Sequence, residues 1–217
     1  MILTDISCFL AAIIGLFGPL ALLVLWHKKT GARFYPAMIA LPVCFPVFVT
    51  GAVIRSGFSQ ENLLRYFILQ ALLYGILEEG AKFLMLRFFL TEYDSPKDAA
   101  SYGIGHTAYE SFGAGIRCFG LIGTGNAAAD ILPMGIWSLI EGTASTVGVT
   151  VLILYGIRTD KSKIMLPAAI LLHTAGNFTG ALASFSGAAA VLRILLTAGT
   201  CFAAYRCRKA MEDPFSS

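Results

Sequence analysis

Four groups of polar residues interrupt apolar stretches of the sequence. They are Glu78-Glu79-Gly80-Ala81-Lys82, His106-Thr107-Ala108-Tyr109-Glu110, the isolated Glu141, and His173-Thr174-Ala175-Gly176-Asn177. A carboxylate in a low-dielectric site can act as a general base on water. An imidazole can orient that water or protonate a leaving amine, and a carboxamide can donate a hydrogen bond to a developing oxyanion. Glu78, His106, His173 and Asn177 therefore make a candidate catalytic set for peptide-bond hydrolysis. Glu78, His106 and His173 could equally hold a divalent ion such as Zn²⁺ with a bound water, and the residues alone leave both chemistries open. Other hydrolytic signatures are missing. There is no G-x-S-x-G, no H-E-x-x-H and no pair of aspartates in apolar context, since Asp5 and Asp130 lie near segment ends.

Helical spacing divides the work among these groups. Glu78 and Lys82 are one turn apart and share a face, whereas Glu79 points about 100° away from Glu78. One carboxylate can face a cavity while the other pairs with Lys82. His106 and Glu110 fall on one stripe, as do His173 and Asn177. Glu79, Lys82, Glu110 and Glu141 are read as supporting residues.

The elements that must position them are membrane helices. Of 217 residues, 57% are hydrophobic and only 13% charged, against about 25% charged in a soluble domain. The mean hydropathy is +0.74. A net charge of +3 is too small to argue for nucleic acid. The pattern predicts an all-α, polytopic membrane helix bundle of about seven spans, at roughly 4–26, 35–54, 63–90, 99–122, 134–157, 164–183 and 187–205. It predicts one transmembrane domain over 1–205 and a short cytoplasmic tail over 206–217. The first apolar run has no positive stretch before it and is read as a span, not a cleaved signal.

Lys28, Lys29 and Arg33, then Arg87 and Lys97, then Arg158, Lys161 and Lys163, then Arg206, Arg208 and Lys209 fall on alternate loops. Cytoplasmic loops carry the excess of basic residues, so the amino terminus is placed outside and the carboxyl terminus in the cytoplasm. Glu78, His106 and His173 then reach similar depths near the midplane, with Glu141 nearer the outer face. Pro36, Pro42 and Pro46 predict a kinked or irregular second span. Gly103, Gly105, Gly113, Gly115, Gly176 and Gly180 predict close helix approach. The five cysteines show no metal-ligand spacing and are read as small apolar residues.

At these residues the chain resembles the YhfC-type intramembrane proteases. The E-E-x-x-K element at Glu78, the G-x-G-H-x-x-x-E at Gly103 and the H-x-x-x-N at His173 carry the likeness, over roughly residues 75–180. That group is placed in a superfamily with the CAAX-processing (CPBP) and PrsW proteases and the Aph subunit of gamma-secretase. The resemblance implies a glutamate-dependent endopeptidase of the bacterial plasma membrane, acting on a membrane-embedded peptide or protein, with no cofactor favoured and zinc the alternative. Glu78 would activate water, His106 and His173 would position it, and Asn177 would complete the oxyanion site. Phe83 stands where the CAAX-type pattern has an arginine, so the basic partner is Lys82. Glu141 is followed by Gly142, where YhfC-like sequences often have Arg, so its expected partner is missing. Two other classes compete: a catalytically silent scaffold like the Aph subunit, and a transporter using Glu and His as a proton relay. No inverted repeat supports the transporter. The sequence sets no oligomeric state.

Overall fold

Apolar segments separated by short polar loops become seven helices among the described residues, because backbone groups in hydrocarbon must be satisfied within the segment itself. The helices are α1 (Ile2–Thr30), α2 (Tyr35–Ser56), α3 (Leu63–Leu84), α4 (Pro96–Leu121), α5 (Ile131–Arg158), α6 (Ser162–Ala183) and α7 (Gly187–Glu212). This computed structural model describes residues 2–126, 128, 130–183 and 185–212 and is all-helical over them. The end of the expected cytoplasmic tail, residues 213–217, lies outside the described residues. α7 itself runs unbroken past residue 205 to Glu212.

Five helices, α1, α2, α5, α6 and α7, are long and apolar enough to cross a membrane. α3 and α4 carry two of the four polar motifs and are too polar to qualify by composition, yet they pack inside the same bundle. The chain is a multi-pass membrane protein. Phe17, Leu20, Phe45, Phe88, Leu171 and Phe202 are among the apolar side chains on its outside, where lipid and not water is the matching solvent.

Contacts run around a ring, from α2 to α3, α6, α5, α4 and back to α2, with α3 also meeting α5 across it. α1 packs outside on α4 and α5, and α7 outside on α5 and α6. The polar helix α4 packs closely against α1, α2 and α5. A methyl group at Gly103 would strike the Val147 backbone of α5, and one at Gly105 would strike Ala37 of α2. Small residues there let three backbones come together.

Local signals set the ends. Asn62 caps α3 by accepting from the Arg65 N–H at 3.0 Å. Ser95 caps α4, with Pro96 in its first turn. Asp98 accepts from the Arg33 guanidinium at 2.6 Å and from the Arg33 backbone N–H at 2.8 Å, fastening the α1–α2 loop to α4. The Asp98 hydrogen bond and charge hold the Arg33 guanidinium above its ordinary range, against the opposing effect of desolvation. The second span is not broken by its prolines. Pro36 sits at the start of α2, where its missing N–H costs nothing, and the helix continues through Pro42 and Pro46. α3 ends in one wide π-helical turn, Met85–Phe89, closed by Leu90 N–H donating to the Met85 carbonyl.

Candidate active site

Glu78 and Glu79 leave α3 in different directions, as their rotation requires, and both are buried. Glu79 faces Lys82, whose Nζ donates to Glu79 Oε1 at 2.6 Å with both side chains fully buried. His173 of α6 also bonds Glu79 Oε1 through Nδ1. One ammonium and one imidazole therefore share a single carboxylate oxygen, while Glu79 Oε2 has no partner among the described residues. Gly75, one turn before Glu79, lies directly against Thr174 of α6. That close approach of α3 and α6 brings His173 to the Glu pair.

Glu78 turns to α4. His106 Nε2 and Glu78 Oε2 are 2.7 Å apart. The other ring nitrogen, Nδ1, is 3.0 Å from Cys44 Sγ of α2. If the thiol donates to Nδ1, then Nε2–H donates to the carboxylate, a consistent chain for a neutral imidazole. His173 Nε2 stands 3.6 Å from Glu78 Oε2, beyond hydrogen-bond reach. Glu78 is thus hydrogen-bonded on one side and faced by a second imidazole at 3.6 Å on the other.

A cavity of about 670 Å³ opens on Glu78. Its walls are α2, α3, α4 and α6, and Tyr74, Tyr109, Glu110 and Asn177 line it with Glu78. Glu110, expected as support, stands in the cavity wall. One oxygen of Glu78, one nitrogen of His106 and one oxygen of Glu110 all lie within 4.8 Å of one another. The closest metal-ligand grouping is therefore Glu78, His106 and Glu110, with His173 bonded to Glu79. Two carboxylates and an imidazole, with one side open to a cavity, are ligand types that zinc accepts, and the Cys44 contact would orient the imidazole from behind. The residues fit such an ion.

Behind Glu110 lies a smaller polar space of about 60 Å³, lined by Glu110, Glu141, Ser145, His173, Asn177 and Arg193 among others. Glu141 is not unpartnered. Arg193 of α7 pairs with its Oε2, and Thr197 Oγ1 donates to its Oε1 at 2.8 Å. The arginine absent from position 142 is supplied by another helix. Sequence reading passed over Arg193, Thr197 and Cys44. Arg193 is the one basic residue within α7 before the carboxyl-terminal cluster, a signal that could have marked it. Cys44 and Thr197 carry no such mark.

Residues 22–117 match the model of a known family. It is described as YhfC intramembrane metalloprotease. The YhfC match takes in Cys44, Glu78, Glu79, Lys82, His106 and Glu110 and stops before His173, Asn177, Glu141 and Arg193. The resemblance noted over residues 75–180 therefore agrees with it across the first two motifs. No curated protein and no solved structure matches the chain significantly.

Proposed function

We propose that the chain is an intramembrane endopeptidase in which Glu78 activates water to hydrolyse a peptide bond of a membrane-embedded substrate. The observation that carries this reading is the division between two adjacent buried carboxylates. Glu79 is neutralised by Lys82, whereas Glu78 has only imidazoles beside it, His106 bonded and His173 at 3.6 Å, and faces a cavity large enough for a peptide segment. An acid held between a fixed donor and open space can exchange a proton with something that enters.

In this mechanism Glu78 removes a proton from water as its oxygen attacks the scissile carbonyl. Asn177, which faces the same cavity, donates a hydrogen bond to the oxyanion. Collapse of the intermediate breaks the C–N bond, and the proton held by Glu78 passes to the leaving amine. His106 fixes the carboxylate from behind, with Cys44 holding its far nitrogen. His173, anchored to Glu79, presents Nε2 to the gap beside Glu78, where a water would lie. Positioning supplies much of the rate, because a preorganised site avoids reorganisation at the moment of reaction.

A second reading is favoured by the ligand grouping and by the matched family's description. In it Glu78, His106 and Glu110 would hold Zn²⁺, which would acidify a bound water and polarise the carbonyl. Purified protein reconstituted in lipid, with a membrane-peptide substrate, separates the readings. The glutamate reading expects cleavage that survives chelation and is lost in Glu78→Gln. Loss on chelation, restored by stoichiometric Zn²⁺, would establish the metal form. Absence of turnover together with a stably co-purifying partner would favour a scaffold.

A further inference from the structure

The large cavity has charge of opposite sign at its two ends. Glu78 and Glu110 supply acid at one end, and Arg55, near the end of α2, lines the same cavity. Arg55 is half-buried, and its side chain makes no hydrogen bond or ion pair among the described residues. Its neighbours Val53 and Ile54 are exposed apolar residues on the outside of the bundle, but Arg55 lines the cavity. An unpaired guanidinium there is a ready partner for a carboxylate, which it can bind through two parallel N–H donors.

The position can be read off the helices. Gly51 packs directly against the Tyr74 ring, which puts these residues of α2 and α3 at one level. Arg55 is one turn beyond Gly51, and Glu78 one turn beyond Tyr74 in the opposite direction. Each turn of four residues advances about 6 Å, so the backbone sites are about 12 Å apart along the cavity. An extended peptide covers about 3.3 Å per residue, so three to four residues span that distance. Between the ends, Phe48 and Tyr109 stack at 4.7 Å and Phe48 lies 5.6 Å from Tyr74, forming an apolar aromatic wall.

Resting on the protease reading, we propose that Arg55 is a substrate-binding residue that takes a carboxylate of the peptide, three to four residues from the bond presented to Glu78. The acidic end repels the same carboxylate, so the two ends together fix the direction in which the chain enters. With the basic loops in the cytoplasm, the carboxylate lies on the extracytoplasmic side of the cleaved bond.

The test measures binding without turnover. Hydrophobic peptides carrying a single Glu at successive positions near the extracytoplasmic end are titrated against the protein in zwitterionic nanodiscs. Gln-substituted and carboxyl-amidated counterparts are run in parallel. One peptide should bind about tenfold tighter than its uncharged counterpart. If amidation removes that preference, the carboxylate is the carboxyl terminus; if Gln substitution removes it, the carboxylate is a side chain. Arg55→Gln should abolish the preference, Arg55→Lys should keep part of it, and Arg55→Glu should reverse it toward a Lys peptide. A preference absent in the wild type, or one that survives Arg55→Gln, overturns the proposal. So does Arg55-dependent retention of phosphatidylglycerol with indifference to the peptides, which would make Arg55 a lipid anchor. Arg55-dependent binding without cleavage rejects only the protease reading. Glu78-dependent cleavage without an Arg55 preference rejects only this one.

Discussion

Among the buried carboxylates with a basic partner, Glu79 and Glu141 are assembled in opposite ways. Glu79 finds Lys82 one turn away on its own helix, with both side chains fully buried, and His173 joins from α6. Glu141 finds Arg193 on α7, far away in sequence, and that arginine is about one-third exposed (31%). The first pair is local, dry and next to Glu78. The second is long-range, partly wet and separated from Glu78 by the small polar space. Charge compensation near Glu78 leaves one carboxylate free to react, whereas at Glu141 it ties α5 to α7. A buried charge that loses its partner is costly because it cannot be rehydrated, so the two pairs should respond differently to the same cut.

The comparison is broken most directly at the carboxylate that neither pair neutralises. Glu78→Gln should lower peptide cleavage by about 10² to 10⁴, the usual contribution of a general base, with little change in thermal unfolding. Unchanged cleavage would remove Glu78 from the reaction. Lys82→Met should then give the largest loss of stability, about 3–5 kcal/mol, because Glu79 is left charged in a dry interior. The double variant Glu79→Gln/Lys82→Met should recover much of that loss in thermal or denaturant unfolding. If the single variant is no worse than the double, the pair is not the closed unit described.

Arg193→Met should cost less, about 1.5–3 kcal/mol, the range for hydrogen bonds to charged groups. Water can reach part of that site. Activity per folded molecule should fall less than that of Glu78→Gln. A fall as large would draw Glu141 into the chemistry. The smallest effect belongs to Cys44→Ala. It removes one weak contact to His106 Nδ1, worth about 1 kcal/mol, or roughly a fivefold change in rate. Stability should barely move, and a kinetic change confined to kcat would show that the thiol acts through the imidazole.

Much of the architecture was legible without coordinates. Apolar length and loop charge give the seven helices, and the rotation between Glu78 and Glu79 gives their separate partners. Other places needed the packing. The prolines of α2 predict a kinked or irregular span; the helix is continuous through Pro42 and Pro46, with Pro36 in its first turn. Glu110 reads as support from its stripe, and the fold adds that it lines the cavity with Glu78.

Local periodicity could determine what lies on one helix: the Glu79–Lys82 pair, the shared face of His173 and Asn177, the capped start of α4. These depend only on 3.6 residues per turn and on backbone groups that must be satisfied in place. What joins one helix to another depends on how closely backbones approach, and that is set by Gly75, Gly103 and Gly105 against particular partners. Only the tertiary structure decided that Cys44 stands behind His106, that Arg193 completes Glu141, and that Arg55 shares a cavity with Glu78. Those pairs are separated by tens of residues, and no repeat or spacing in the sequence encodes the packing that brings them together.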